Sequence, residues 1–408
     1  MKLPASLPRE VVVIEPAEDV SGCKTIGDEI TEELEYTPGH FFVRQFKRPK
    51  YVRLKTSDEK PNVLIGTLPV RLIDKGIAGP GLLAQIIIDK YIDHLPLYRQ
   101  IERFKRAGIT FPDATLSGWV GRCSTELEVL YTLHQKLILD GGYIQADETT
   151  IKVLDKDKKG KTHLGYYWVY RAPLQNMVLF DYQPGRGGGG PREMLKNYTG
   201  YLQSDGYEVY EQFSKMEGIT LTGCWAHARR KFIEAQANDR MRAEYVLTQI
   251  QLLYNLERQA QQEQLTAGQR HALRQEKAMP ILDSLYHWMQ DNYPSVTPQS
   301  LIGKAFAYTL KRWEKLCLYT TAGILQIDNN LVENAIRPVA LGRKNYLFAG
   351  SHNAAQRAAM IYSLLGTCKI NNINPYQWLR DVFEKLPTYP INKIQELLPH
   401  NWKLSKEN

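Results

Sequence analysis

Apolar positions fall into blocks of different period along the chain, and each period indicates an element type. Over residues 1–72 the runs Val11-Val12-Val13-Ile14 and Phe41-Phe42-Val43-Arg44-Gln45-Phe46 read as strands of a small β-rich module. From about 73 to 140 the spacing turns helical, at 82–88 and at 98–104. Gly108-Ile109-Thr110 then interrupts, and a further helix restarts with Asp113 as its N-cap. Helix, glycine turn and helix outline a helix-turn-helix, although an ordinary helical hairpin has the same pattern.

Strand periodicity takes over at 141. Segments 143–154, 163–171 and 176–182 read as three consecutive strands, the first two joined by Asp155-Lys156-Asp157-Lys158-Lys159-Gly160. A glycine-rich loop at 184–191, a short helix, a strand at 200–205, a helix from Tyr207 and a strand at 219–225 follow. Three strands and then alternating helix and strand are the order of a ribonuclease-H-like mixed sheet, an α/β fold. Residues 226–320 are almost wholly helical, and helices at 329–341, 354–368 and 375–386 close the chain. The expected domains are a β-rich module at 1–72, a helix-turn-helix-like region at 73–140, a catalytic domain at 141–350 with a helical insertion at about 237–320, and a helical region at 351–408.

Three acidic motifs stand out against this pattern: Gln145-Ala146-Asp147-Glu148-Thr149, Gln203-Ser204-Asp205-Gly206-Tyr207 and Asp328-Asn329-Asn330-Leu331-Val332-Glu333-Asn334. The first two lie at strands and the third opens a helix capped by Asp328 or Asn329. Side chains alternate along a strand, so Asp147 and Glu148 face opposite ways, and Asp147 is assigned to the site. Residues at strand ends meet over one sheet edge, where Glu333 can join Asp147 and Asp205. Taken singly each acid has a structural reading, Asp205-Gly206 as a turn and Glu333–Arg337 as a surface ion pair. Together they form a set of hard oxygen ligands suited to Mg²⁺ or Mn²⁺, in a pair of ions that activates a nucleophile at a phosphodiester.

Composition adjusts this picture modestly. The chain has 408 residues, 43% hydrophobic and 24% charged, with a formal net charge of +8, a bias toward polyanionic partners. His227, Arg229 and Arg230 follow the strand at 219–225, and Arg337, Arg343 and Lys344 follow Glu333; these are the candidate DNA-phosphate contacts. No apolar run reaches the roughly 20 residues needed to cross a bilayer. The segment Met1-Lys2-Leu3-Pro4-Ala5-Ser6-Leu7-Pro8-Arg9-Glu10 lacks a signal-peptide core, so the chain reads as cytoplasmic, with no membrane partner. Five scattered cysteines argue against a disulfide framework, and Cys224-x-x-His227 has no second pair, so zinc is not expected.

In this order the motifs resemble the transposases of the bacterial insertion-sequence-66 family. The resemblance runs from about residue 20 to the end. It includes Leu95-Pro96-Leu97-Tyr98-Arg99-Gln100, Asp147-Glu148-Thr149, Asp205-Gly206-Tyr207, Cys224-Trp225-Ala226-His227-Ala228-Arg229-Arg230, Glu333-Asn334-Ala335-Ile336-Arg337-Pro338 and Gly342-Arg343-Lys344-Asn345. It implies a D-D-E polynucleotidyl transferase with Asp147, Asp205 and Glu333 as metal ligands. It also implies terminal inverted repeats and target DNA as partners, a homo-oligomer on DNA, nucleoid association and companion proteins of the element. Relatives usually begin with a coiled coil and a four-cysteine zinc module, of which only Cys23 remains here. Two other readings stay open: a DNA-binding repressor of the element, and a ribonuclease-H-like nuclease acting on RNA–DNA hybrids.

Overall fold

The computed structural model describes residues 39, 41–47, 50–52, 63–65, 67–74, 76–155 and 161–403, within two units, Met1–Thr67 and Leu68–Asn408. In the first unit, β1 (Lys50–Val52) and β2 (Val63–Ile65) pair antiparallel with Tyr51 opposite Leu64. Residues 41–46, expected as a strand, have no regular structure. A strand is held by the backbone bonds of a neighbour, and in this unit that pairing falls at β1 and β2. The run at 11–14 lies outside the described residues.

The second unit opens with three helices, α1 (Pro80–Tyr91), α2 (Leu97–Arg106) and α3 (Asp113–Leu139). Gly108 makes the α2–α3 turn at φ +82, a conformation that costs glycine little. Pro112, not Asp113, is the N-cap of α3. Asp113 is the first helical residue, where its charge meets the positive end of the helix dipole.

One mixed sheet follows. β3 (Tyr143–Leu154), β4 (Thr162–Ala172) and β5 (Met177–Gln183) pair antiparallel in sequence. After α4 (Gly189–Met194), β6 (Gly200–Gln203) returns parallel to β3. After α5 (Glu208–Glu211), β7 (Ile219–Thr222) lies parallel to β6, giving the order β5–β4–β3–β6–β7. Both parallel strands end before the apolar pattern does. β6 stops at Gln203, ahead of the turn at Gly206 (φ +83). Past β7 the Gly223 N–H leaves the ladder to donate to the Lys315 carbonyl at 2.9 Å.

Helices α6 (Trp225–Ala235), α7 (Arg240–Gln262), α8 (Ala267–Leu273), α9 (Met279–Asn292), α10 (Leu301–Lys311) and α11 (Trp313–Cys317) come next. They bury their own core, built on Trp225, Phe232, Ile250, Leu285 and Phe306. The chain closes with α12 (Asn330–Gly342), α13 (His352–Ile370) and α14 (Pro375–Lys385).

Alternation gives the sheet two buried faces. Ile144, Ala146, Trp168 and Tyr170 pack with Tyr210 and Phe213 on one. Ile151, Val153, Tyr167 and Val169 pack with α1, α3, α13 and α14 on the other. The edge strand β5 is covered rather than exposed. Val178 and Phe180 donate their N–H groups to Thr367 Oγ1 (3.1 Å) and Ser363 Oγ (2.7 Å) of α13. Tyr131 of α3 donates to the Phe180 carbonyl at 2.8 Å, so β5 offers no free ladder there. Among the described residues no helix is long and apolar enough to cross a membrane, and Cys123, Cys224, Cys317 and Cys368 are unpaired.

Candidate active site

The parallel pairing of β3 and β6 sets Gln145 opposite Gln203. Two residues further along each chain come Asp147, in the middle of β3, and Asp205, just past the end of β6, so both follow directly on the stretch where the two strands pair in parallel. Asp147 lies within β3, and its Oδ1 accepts the Glu148 N–H at 2.7 Å. Asp205 lies just past β6 and turns the chain, its Oδ1 accepting the Tyr207 N–H at 2.8 Å. Glu148 points to the opposite sheet face, where Arg186 donates to it at 2.8 Å and the Tyr210 hydroxyl at 3.4 Å.

Glu333 comes from the first turn of α12. The N-cap is Asn329, but its buried side-chain amide makes no hydrogen bond. The capping oxygen belongs to Asp328, whose Oδ1 accepts the Asn330 N–H at 3.1 Å. Glu333 is paired with His227 Nε2 (3.6 Å) and Arg230 (3.9 Å) of α6 rather than with Arg337, four residues along its own helix.

Electrostatics ties these groups together. Burial pushes Asp147 up to about 7, and the charges of Asp205, Glu148 and Glu333 add to the rise while the Glu148 N–H opposes it. Burial also raises Glu148, with the Arg186 hydrogen bond pulling the other way. His227 is lowered by burial against the attraction of Asp205 and Glu333. Asp147 and His227 thus each lie within the fields of Asp205 and Glu333.

Among the described residues no group of three or more His, Cys, Asp or Glu side chains is arranged to enclose a metal ion. The donor chemistry nevertheless fits a hard divalent cation: the carboxylates near Asp147 repel one another, and a cation between them relieves that cost.

The expected cations are unequal. Arg229, Arg230, Arg337 and Lys344 are exposed and His227 half-buried. Arg343 is tied down, donating to both the backbone carbonyl and the side-chain oxygen of Thr150 on β3. Sequence reasoning missed the contribution of the α7–α11 helices. Tyr308 donates to the Asp205 carbonyl at 2.6 Å, Arg312 to the Gly206 carbonyl at 2.8 Å, and Tyr254 to Asp328 Oδ2 at 2.8 Å. No local pattern marks those tyrosines. Arg186, in the glycine-rich loop and stacked 4.1 Å over the Tyr207 ring, was also missed, although a lone arginine among glycines was a usable signal.

Comparison with known proteins adds two family matches: "Transposase IS66 family" over residues 75–357 and "IS66 C-terminal element" over residues 363–400. The chain is similar to the uncharacterized proteins y4hP (34% identical), y4qI (33%) and y4jD (31%) of Sinorhizobium fredii strain NBRC 101917 / NGR234. Each likeness spans 98% of this chain and 76%, 76% and 81% of the respective relative. No solved structure matches.

Proposed function

The chain belongs to the IS66 transposase family, and from that premise we propose that it is a D-D-E DNA strand transferase acting on the ends of its own element. Asp147, Asp205 and Glu333 would hold Mg²⁺ or Mn²⁺, as a pair of ions. The chemistry that bound divalent ions supply is charge neutralisation at the scissile phosphate and activation of the attacking hydroxyl. The observation that carries the reading is the β3–β6 register: Asp147 and Asp205 each follow two residues beyond the paired Gln145 and Gln203, and the charges of Asp205 and Glu333 both act on Asp147.

The remaining groups hold and orient. Arg230 and His227 steady Glu333, and Arg230 leaves positive charge beside a bound phosphate. Burial lowers the affinity of His227 for protons and so favours its neutral, hydrogen-bonding form. Arg229, Arg337 and Lys344 are exposed cations for the phosphate backbone; Arg343 reaches DNA only with the donors that Thr150 leaves free.

Three antiparallel strands followed by two parallel ones support a ribonuclease-H-like catalytic domain over 141–350, with the helices of about 237–320 as its insertion. The α2–Gly108–α3 segment supports helix-turn-helix reading of the inverted repeats within 73–140, after the 1–72 module and before the 351–408 helices. Assembly as a homo-oligomer on DNA, with companion proteins, belongs to the same reading.

Labelled duplexes carrying the element ends test it. Asp147→Ala, Asp205→Ala and Glu333→Ala are each expected to lower Mg²⁺-dependent cleavage at least 10³-fold while retaining duplex binding. Full cleavage by any of the three refutes the assignment. Binding without nicking by the unaltered chain favours the repressor, and hydrolysis of RNA–DNA hybrids without end joining favours the nuclease.

A further inference from the structure

Each candidate aspartate is preceded, two residues back, by a fully buried glutamine, and the two glutamines are direct neighbours across the β3–β6 pair. Within β3, residues i and i+2 share a face, so Gln145 and Asp147 point the same way, while Asp205 follows Gln203 just past the end of β6. Gln145 Nε2 donates to Gln203 Oε1 and to the Asp328 carbonyl, both at 2.9 Å. Gln145 Oε1 accepts the Val332 N–H at 3.3 Å. Gln203 Nε2 donates to the carbonyls of Gly223 and Gln326, both at 2.9 Å, and its Oε1 also accepts the Tyr143 hydroxyl at 2.6 Å. Tyr143 in turn accepts the Gln326 N–H at 3.0 Å.

Every one of the four amide atoms is bonded, and the partners are specific. Three of them, the Gln326 carbonyl, the Asp328 carbonyl and the Val332 N–H, lie in the segment that runs into Glu333. Two side chains rooted beside the aspartates therefore grip the backbone that delivers the third acid. Any buried amide must find hydrogen-bond partners, but nothing obliges those partners to lie on the one segment that carries Glu333. An apolar side chain of the same volume would fill the space without fixing the register between the strands and α12.

We propose that Gln145 and Gln203 are positioning residues of the D-D-E site, setting how far Glu333 stands from the Asp147–Asp205 pair. The proposal rests on the functional reading above. It deepens that reading by naming what holds the three acids in register when a cation binds. Groups that orient a metal ligand typically change metal affinity or activity by about 10–100-fold when removed.

Gln145→Met and Gln203→Met test it, with Gln100→Met as control. Gln100 is equally buried and donates to the carbonyls of Ile86 (3.2 Å) and Leu95 (2.9 Å), away from the acids. Full-length proteins are compared for melting temperature, for Mn²⁺ affinity by electron paramagnetic resonance, and for Mg²⁺-dependent cleavage of labelled element ends. At matched loss of melting temperature, Gln145→Met and Gln203→Met are expected to weaken Mn²⁺ binding and raise the Mg²⁺ midpoint about tenfold or more, with kcat lowered beyond that of the control. Gln100→Met is expected to keep its Mn²⁺ affinity at the unaltered value.

If all three variants behave alike, the glutamines serve stability only and the proposal falls. Should Gln145→Met not fold, Gln145→Asn, which keeps the amide but shortens its reach, takes its place in the same comparison. An unaltered chain that binds Mn²⁺ but cleaves nothing overturns the strand-transfer reading, while the variants' Mn²⁺ affinities still decide the positioning role. A chain that does neither overturns both.

Discussion

Gly206 turns the chain directly after Asp205 at φ +83, and alanine there is expected to destabilise the protein by about 2.5–5 kcal/mol. Two costs build that figure. The left-handed conformation costs a residue with a Cβ about 1–2 kcal/mol. The Cβ would also collide with Arg312 Nε, so that side chain must move. Moving it sacrifices the 2.8 Å bond from Arg312 to the Gly206 carbonyl, and charged hydrogen bonds contribute about 1.5–3 kcal/mol. Arg312 also stacks 4.2 Å over the Tyr308 ring, whose hydroxyl holds the Asp205 carbonyl, so the disturbance reaches the candidate ligand itself. With unfolding entropy of about 2.1 cal/mol/K per residue, the loss lowers the melting temperature of a unit this size by roughly 4–7 °C. The assay is a thermal melt of Gly206→Ala, Arg312→Ala and the double variant, with cleavage measured in parallel. In the Arg312→Ala background only the backbone cost remains, so the glycine substitution should cost about 1–2 kcal/mol there. Equal cost in both backgrounds, or a single variant that melts with the unaltered protein, refutes the clash.

Other expectations concern the surroundings. Arg274 is wholly buried, forks onto Glu257 at 2.8 and 2.7 Å and donates to the carbonyls of Tyr319, Ala322 and Leu325; Arg274→Met should cost about 3–5 kcal/mol in denaturant unfolding by stranding Glu257 and three carbonyls. Burial pushes Asp181 up to about 6, above its unfolded value, so its contribution to stability is intact below about pH 4 and is lost as pH rises through 6. Asp181→Asn should therefore be more stable than the unaltered chain by about 3 kcal/mol at pH 8 and no more stable at pH 4, read from unfolding curves at both pH values. Arg343→Ala should lower stability by about 1–2 kcal/mol through its lost bonds to Thr150, while Lys344→Ala should leave melting unchanged and reduce the salt slope of DNA binding by about 1.

Much of the architecture is written locally. The alternation along 143–154 separates Ile151 and Val153 from Ile144 and Ala146, and the sheet buries these pairs on opposite faces. The helical period at 82–88 and 98–104 lies inside α1 and α2. Local signals failed where a distant partner competes. The apolar run at 219–225 reads as one strand, yet Gly223 gives its N–H to Lys315, and Trp225 already begins α6 and donates its indole N–H to the Leu316 carbonyl at 2.9 Å. Asp113 has the composition of a cap, but Pro112 occupies that position. The Glu333–Arg337 spacing suits an ion pair, but α6 brings His227 and Arg230 to the carboxylate instead.

Read alone, the amino-acid order determined which acids are available, which strand face Asp147 takes, and the succession of strands and helices. Those properties depend on side-chain period and turn chemistry within a few residues. Only the tertiary structure decided that Gln145 grips the backbone at Asp328 and Val332, that Tyr308 reaches Asp205, and that Arg343 is held by Thr150. Such contacts join residues more than a hundred positions apart, and no local periodicity records which partner a buried donor meets once the sheet and the helices have packed.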